Sequence, residues 1–205
     1  MLELFKADRD RARQAQDPTA NVCQVATVNS DGWPELRTLV LRDVVLAERN
    51  SATGAVTDDP GESLALFINS SSPKWAQAAA NQGRLGVHTY WPSINVQYRL
   101  QAFAEALPEQ IVRDSWQLRP EPPKRMDWFY AQHPQSTPIG DRDALLSKLA
   151  NLAPPEPLIA PESARGWGLR VVQIERLDLG QSNGVHDRTL ARLQDGAWHT
   201  ETLVP

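Results

Sequence analysis

Hydrophobic and polar residues alternate with a period of two in several short runs of the chain, and with a helical period in others. Residues 21–29, NVCQVATVN, alternate and are rich in valine, which predicts a strand. Ser30-Asp31-Gly32 is a turn signal, and it leads into PELRTLVLRDVVL at 34–46, so a hairpin is expected. Residues 49–63, RNSATGAVTDDPGES, read as loop. LALFIN (64–69) is a third main strand, followed by PKWAQAAANQ (73–82), a helix closed by Gly83. RLGVHTYWP and INVQYRLQAFAEAL add two strands. In the second, Val96, Tyr98, Leu100, Ala102 and Ala104 face one way, while Gln97, Arg99, Gln101 and Glu105 face the other.

The helical patterns lie between and before the strands. Residues 2–16 carry Leu2, Phe5 and Ala12 among alternating charges, which predicts a short amphipathic helix ended by Asp17-Pro18. Residues 108–150 read as a helical insertion: PEQIVRDSWQLR and PPKRMDWFYAQ, each opened by proline, then a break at HPQSTPIG, then DALLSKLANL. APPEPLIAPESARG is a stiff, proline-rich connector. GWGLRVVQIERLDL and VHDRTLARLQDGAWHTETLV complete the strands, the last two joined at Asp195-Gly196. Strands with hairpin signals in both halves predict a mainly β, α+β fold, an antiparallel barrel with helical insertions in one domain spanning 1–205. Strand and helix do not alternate regularly, which excludes a doubly wound parallel sheet.

Composition narrows the partners. The chain has 205 residues, 41% hydrophobic and 22% charged, with a formal net charge of −4. No basic run is present to replace counterions along a phosphate backbone, so no nucleic-acid partner is expected. The N-terminal segment is charged throughout and no long apolar span occurs, so no membrane partner is expected and the cytoplasm is the default compartment. The single Cys23 excludes an internal disulfide. The four histidines and Cys23 show no metal-ligand spacing, so no metal is expected. There is no P-loop or nucleophile elbow, and GWGLRV fails the dinucleotide fingerprint at its last glycine.

Three places carry candidate chemistry. In SSSPK, Ser72 is placed as a helix cap, Pro73 as the first helical residue and Lys74 in the first turn. A lysine there opposes the helix dipole, so the corner is either a plain cap with a solvated lysine or an anion site needing a second cation. Arg37 or Arg42, lying in an otherwise apolar strand, are candidates for that cation, or else sit on an exposed edge. Their odd separation puts them on opposite faces of a regular strand. His186 and Arg188 share a face, and either meet a ligand or lie on a solvated hairpin with Asp187 paired to an arginine.

Taken in order, RTLVLR (37–42), FINSSSPK (67–74), TYW through Gln97 with QAFAEAL, STPIG (136–140), GWGLRV with the following Ile-Glu, and VHDR with the closing Trp198, Leu203 and Pro205 carry a resemblance. The chain resembles the pyridoxamine 5'-phosphate oxidase-related FMN-binding family, from about Asn21 to Pro205. That resemblance implies the FMN-binding split barrel and a homodimer with FMN at the subunit interface. It implies that Arg37, Lys74 and Ser72 clamp the FMN phosphate, and that the backbone of Thr38, Leu39, Val40 and Leu41 lies beside the ring. Phe67 and Ile68 would border the ribityl chain or ring, and Gln97 and Arg188 would bond the ring's polar edge. Ser147 would be a phosphate ligand given by the other subunit.

On the substrate side the chain departs from the family pattern. Where the oxidases hold the substrate phosphate with a lysine, a tyrosine, an arginine and a serine, this chain has Arg42, Phe129, His133 and Thr137. His186 is present, but the arginine two positions before it is replaced by Gly184, and a ring-contacting tryptophan is absent from the region of Arg176, Leu177 and Asp178. The resemblance therefore implies a divergent branch: an oxidoreductase passing a hydride from a small substrate to FMN, with Arg42, His133, Thr137 and His186 as substrate contacts. The alternative is a cofactor-binding module without oxidase turnover, carrying FMN, haem or a deazaflavin. No catalytic residue is assigned.

Overall fold

The structure, a computed structural model, describes residues 1–49 and 56–205. In chain order the elements are α1 (Leu2–Gln14), β1 (Val22–Val28), β2 (Pro34–Val40), β3 (Arg42–Arg49), β4 (Val56–Asn69), α2 (Pro73–Ala80), β5 (Arg84–Trp91), β6 (Val96–Ala106), α3 (Glu109–Gln117), α4 (Glu121–Gln132), α5 (Arg142–Ala150), β7 (Ala164–Asp178), β8 (Asp187–Gln194) and β9 (Ala197–Thr202). All strand pairs are antiparallel, in the order β2-β1-β5-β6-β7-β4-β3, with β8 on β7 and β9 on β8. The long β7 serves two neighbours along one edge, β4 through its first residues and β8 through its last.

The two ends of this order, β2 and β3, are consecutive in sequence and separated by Leu41 alone. The sheet must therefore curl until its edges meet at that residue, which is the geometry of a split barrel. The run 34–46, expected as one strand, is broken there. Leu41 turns inward, 1% exposed, while its N–H donates to the Asn21 carbonyl at 3.0 Å. A second correction concerns residues 49–63, expected as loop: residues 56–63 belong to β4 and pair with β3. Pro60 and Gly61 lie within the paired stretch. Among the described residues only one side of β4 is paired there, and proline is tolerated in a strand that forms an edge. Residues 50–55 of the same expected loop lie outside the described residues.

Period-two burial builds the interior. Cys23 and Val25 of β1, Leu85 and Val87 of β5, and Val96, Tyr98, Leu100 and Ala102 of β6 all point into one core. α1 closes it by inserting Phe5, whose ring lies 5.3 Å from Trp91 and 4.9 Å from Tyr98. A smaller cluster of Ala65, Leu107, Val112, Trp116 and Ala164 seats α3 on the sheet. Gly166 suits this seating, because an added Cβ would stand 2.6 Å from Leu107 Cδ1 and force that buried side chain to shift. Packing, not nucleotide binding, accounts for that glycine. Among the described residues no helix is long and apolar enough to cross a membrane.

Two charged residues of α1 are as buried as its phenylalanine: Asp8 and Arg9, each 1% exposed. Asp8 accepts from the Tyr98 hydroxyl at 2.7 Å and from Arg176 Nε at 2.8 Å, tying the helix to β6 and β7. Arg9 donates to the carbonyls of Ala20 and Leu41 and pairs with Asp43 at 2.7 Å, tying it to the bend between β2 and β3. Adjacent residues of one helix thus pin the middle of the sheet and the bend between its two ends. Burial works to raise the Asp8 pKa, but the bonds from Arg176, Tyr98 and Arg11 win and hold it below the usual carboxylate value. Its contribution is present above the unfolded pKa of about 4 and is lost as pH falls through the lower folded value. Asp8→Asn is expected to cost about 3 kcal/mol in urea denaturation at pH 7, since it takes the buried charge partner from Tyr98 and Arg176 and leaves Arg176 to Asp178 alone at 3.0 Å. The deficit should shrink in acid.

Candidate functional site

The corner between β4 and α2 is held from both sides. Ser71 N–H bonds Asn69 Oδ1 at 3.0 Å, and Ser70 N–H bonds the Ser163 carbonyl at 2.8 Å. Trp75 stacks on Trp167 of β7, centroids 5.6 Å apart and planes 6° from parallel, which fixes the first turn of α2 on the sheet. Ser72 sits at the N-cap with extended backbone, φ −73° and ψ 139°, but its side chain makes no capping bond. Its hydroxyl oxygen instead accepts from Lys74 Nζ. Lys74 is only 7% exposed.

The second cation comes from across the curl. Arg37 of β2 lies in the row Arg37, Val25, Val87, Leu100 that faces the core. Its guanidinium is held at the rim: Nη1 donates to Thr27 Oγ1 at 2.6 Å and to the Glu35 carbonyl at 2.8 Å, and Nη2 to Gln77 Oε1 at 3.2 Å. Arg37 and Lys74 line one cavity of about 500 Å³, formed by residues 35–39 of β2, residues 72–74 at the start of α2, and Gln135 and Ser136 after α4. That volume lies within the range of small-molecule sites. Burial, then the charge of Arg37, pushes the Lys74 pKa down to about 8. Two cations face this cavity beside the hydroxyl of Ser72, and Glu35, bonded to Arg37 at 3.2 Å, is the acid at its rim. An anion with several acceptor oxygens suits that donor set.

The expected site residues separate into three places. Arg37, Thr38, Leu39, Ser72 and Lys74 line the cavity together. Val40 is exposed at the end of β2 and Leu41 is buried at the bend. Among the described residues β2 pairs only with β1, so its other edge, beside the cavity, carries backbone groups without a strand partner there. Gln97 and Arg188 lie elsewhere, on the polar outer face. The row Tyr90, Gln97, Leu177, Arg188 runs across β5 to β8. There Gln97 bonds His88 Nε2 at 3.1 Å and Arg188 Nε donates to Glu175 at 3.0 Å. From β2 to β8 is five strand spacings, roughly 24 Å along the curved sheet.

The remainder are apart from both groups. Ile68 packs in the main core and Phe67 against the smaller cluster. Arg42 is exposed at the start of β3, Ser147 is exposed on α5, and His186 is exposed just before β8. His133 ends α4 with its ring 4.7 Å from that of the buried Phe129. Thr137 lies one residue beyond the cavity wall, its hydroxyl donating to the Pro134 carbonyl at 2.7 Å. Sequence reasoning missed Gln77, which joins Arg37, Thr27 and Glu35, and it missed Glu35, Gln135 and Ser136. The signal for the first two was spacing. Gln77 follows Lys74 by three positions on a helix and Glu35 precedes Arg37 by two on a strand, so each shares its partner's face.

Comparison with known proteins turns this geometry into a family assignment. Residues 4–108 match the family model described as pyridoxamine 5'-phosphate oxidase, FMN-binding domain. The chain belongs to the pyridoxamine 5'-phosphate oxidase family. It is 30% identical over 187 residues to the pyridoxine/pyridoxamine 5'-phosphate oxidase of Pseudomonas paraeruginosa strain DSM 24068 / PA7, covering 90% of this chain and 78% of that one. The Neisseria meningitidis serogroup B protein of the same name is 28% identical over 206 residues, covering 100% and 89%. Among solved structures, PhzG from Burkholderia lata 383, in complex with tetrahydrophenazine-1-carboxylic acid, superposes with a TM-score of 0.76 at 21% identity, covering 100% of this chain and 92% of that one. A pyridoxamine 5'-phosphate oxidase-related, FMN-binding protein from Nostoc punctiforme PCC 73102 gives 0.72 at 21% identity, covering 99% and 96%. Both share the split-barrel fold with this member of the family.

The cation pair has a measurable cost in the free protein. The folded Lys74 pKa lies below its unfolded value, so the unfolded chain holds more protons between them. Stability of the free protein should therefore rise as pH increases from about 8 towards 10.5. Lys74→Met, which keeps the stem and removes the charge, should raise stability at pH 7 by about 1–2 kcal/mol and abolish that rise. Urea midpoints at pH 7 and pH 10 for both proteins measure it.

Proposed function

We propose that the protein is an FMN-dependent oxidoreductase acting as a homodimer on a small substrate, phosphorylated or not. The observation that carries this reading is the Arg37–Lys74 cavity at the start of α2, in a chain of the FMN-binding family. Lys74, Arg37 and the hydroxyl of Ser72 would hold the FMN phosphate, Lys74 as a point charge and Arg37 through fixed N–H groups. The open edge of β2 from Thr38 to Leu41 would offer backbone groups to the ring. FMN, when bound, supplies a hydride acceptor, and the protein supplies binding and orientation.

The separation of Gln97 and Arg188 from the cavity supports the dimer. They lie on the opposite face of the sheet from the core row of Arg37, several strands away, so one copy would grip the phosphate while another offers its outer face to the ring. Ser147, exposed on α5, fits a contact given across such an interface. Arg188 is aimed by Glu175, and its charge would favour electron density on the ring's polar edge. Arg42, His133, Thr137 and His186 remain the substrate contacts. Phe129 is 3% exposed and has no hydroxyl, which favours a substrate other than pyridoxamine 5'-phosphate. The same observation favours, as a second reading, a cofactor-binding module without oxidase turnover.

FMN titration, followed by quenching of its fluorescence, tests the cofactor. Binding to the native protein should be at least tenfold tighter for FMN than for riboflavin, which lacks the phosphate. Lys74→Ala and Arg37→Ala should each cost about 2–3 kcal/mol with FMN and little with riboflavin, as expected for a charge-assisted contact. Equal binding of FMN and riboflavin would remove the phosphate assignment. Peroxide release with pyridoxamine 5'-phosphate and with other small amines or alcohols separates the oxidase from the module. A turnover no greater than that of free FMN across such a panel favours the module.

A further inference from the structure

The cavity already contains a carboxylate. Glu35 stands at its rim, and its position is fixed by three donors: Arg37 Nη2 at 3.2 Å, Gln77 Nε2 at 2.9 Å and Asn29 Nδ2 at 3.2 Å. Asn29 is itself locked in the turn between β1 and β2, its Oδ1 accepting from the N–H groups of Asp31 at 3.0 Å and Trp33 at 2.9 Å. Each link of that chain is specific, so the negative charge is built in rather than drifting on a solvated side chain.

Arg37 does not need this carboxylate for its orientation. Its closest acceptors are Thr27 Oγ1 and the Glu35 main-chain carbonyl, and Gln77 holds the other terminal nitrogen. The carboxylate contact is among the longer bonds that Arg37 makes. What it adds is charge. It partly neutralises Arg37 in the free protein, whereas Lys74 has Ser72 as its hydrogen-bond partner and no carboxylate in ion-pair contact among the described residues. An arriving phosphate must share Arg37 with Glu35 and lie close to its negative charge.

The geometry points to Glu35 as a resident anion that competes with the ligand phosphate for Arg37 and sets how tightly this protein holds its phosphorylated cofactor. This rests on the reading of the cavity as the FMN phosphate site. A fixed carboxylate near a phosphate dianion in a half-buried site lowers affinity about tenfold at low salt, by Coulomb repulsion at an intermediate dielectric. It raises the free cofactor concentration needed for half-occupancy by the same factor. Neutral ligands are unaffected.

Glu35→Gln removes the charge and keeps an amide oxygen for the bond from Gln77. In the 205-residue chain, FMN and inorganic phosphate should each bind Glu35→Gln about tenfold more tightly than the native protein at low ionic strength, with the gain shrinking in about 0.5 M salt. Riboflavin affinity should not change. Urea denaturation checks the fold, and Asn29→Ala, which frees the carboxylate to swing into solvent, should give a smaller gain of the same sign. Unchanged FMN and phosphate affinities in Glu35→Gln would overturn the competition, and weaker binding would make Glu35 an aid to Arg37 instead. If neither protein binds FMN or phosphate, the cavity assignment itself fails, an outcome distinct from FMN bound equally by both.

Discussion

Two cations forced into one poorly solvated cavity are the constraint from which the rest of this structure is best understood. Burial and mutual repulsion disfavour the charged state of Lys74, and nothing in the barrel's packing requires a lysine at that position. A methionine there would keep most of the stem without the buried charge. The Trp75–Trp167 stack, the Asn69 bonds and the Thr27–Gln77–Arg37 network hold the pair in place against that repulsion. Local rules broken at one corner and compensated around it are what an anion-binding corner would leave in a structure.

The curl of the sheet is what brings the pair together. Arg37 and Lys74 are thirty-seven positions apart, on the edge strand β2 and on the helix that follows β4. They meet only because β2 and β3 form the two ends of one sheet and join at Leu41. α1 holds that closure by two buried charged side chains, Asp8 on the β6–β7 side and Arg9 on the bend itself. Through Leu41 and Asp43, Arg9 also fixes the segment whose open edge borders the cavity. Stability and site geometry therefore share the same contacts.

Much of this was legible in the chain. Alternation in β1, β5 and β6, the Asp-Gly hairpins and the proline-opened helices all follow from period and turn chemistry. The misplacements have physical causes. Residues 56–63 carry Asp-Asp-Pro-Gly, a turn composition that long-range pairing with β3 overrides, since β propensity depends on context. The break at Leu41 has no local signal, because it is imposed by closure of the sheet. Asp8 and Arg9 belong to the alternating charges of an amphipathic helix, and only their distant partners, Tyr98 and Arg176 for the one and the Leu41 bend for the other, explain their burial. In the site, SSSPK and RTLVLR were visible as cations in unfavourable places, whereas Glu35 and Gln77 became apparent only once Arg37 had a position in space.

The most direct measurement is the protonation of Lys74 itself, followed by NMR of its labelled side chain as a function of pH. In the free protein the midpoint should lie near 8. Saturation with inorganic phosphate or FMN should carry it above 10, because a paired anion restores the charged form. A midpoint near the ordinary lysine value in the free protein, unmoved by either ligand, would contradict the account.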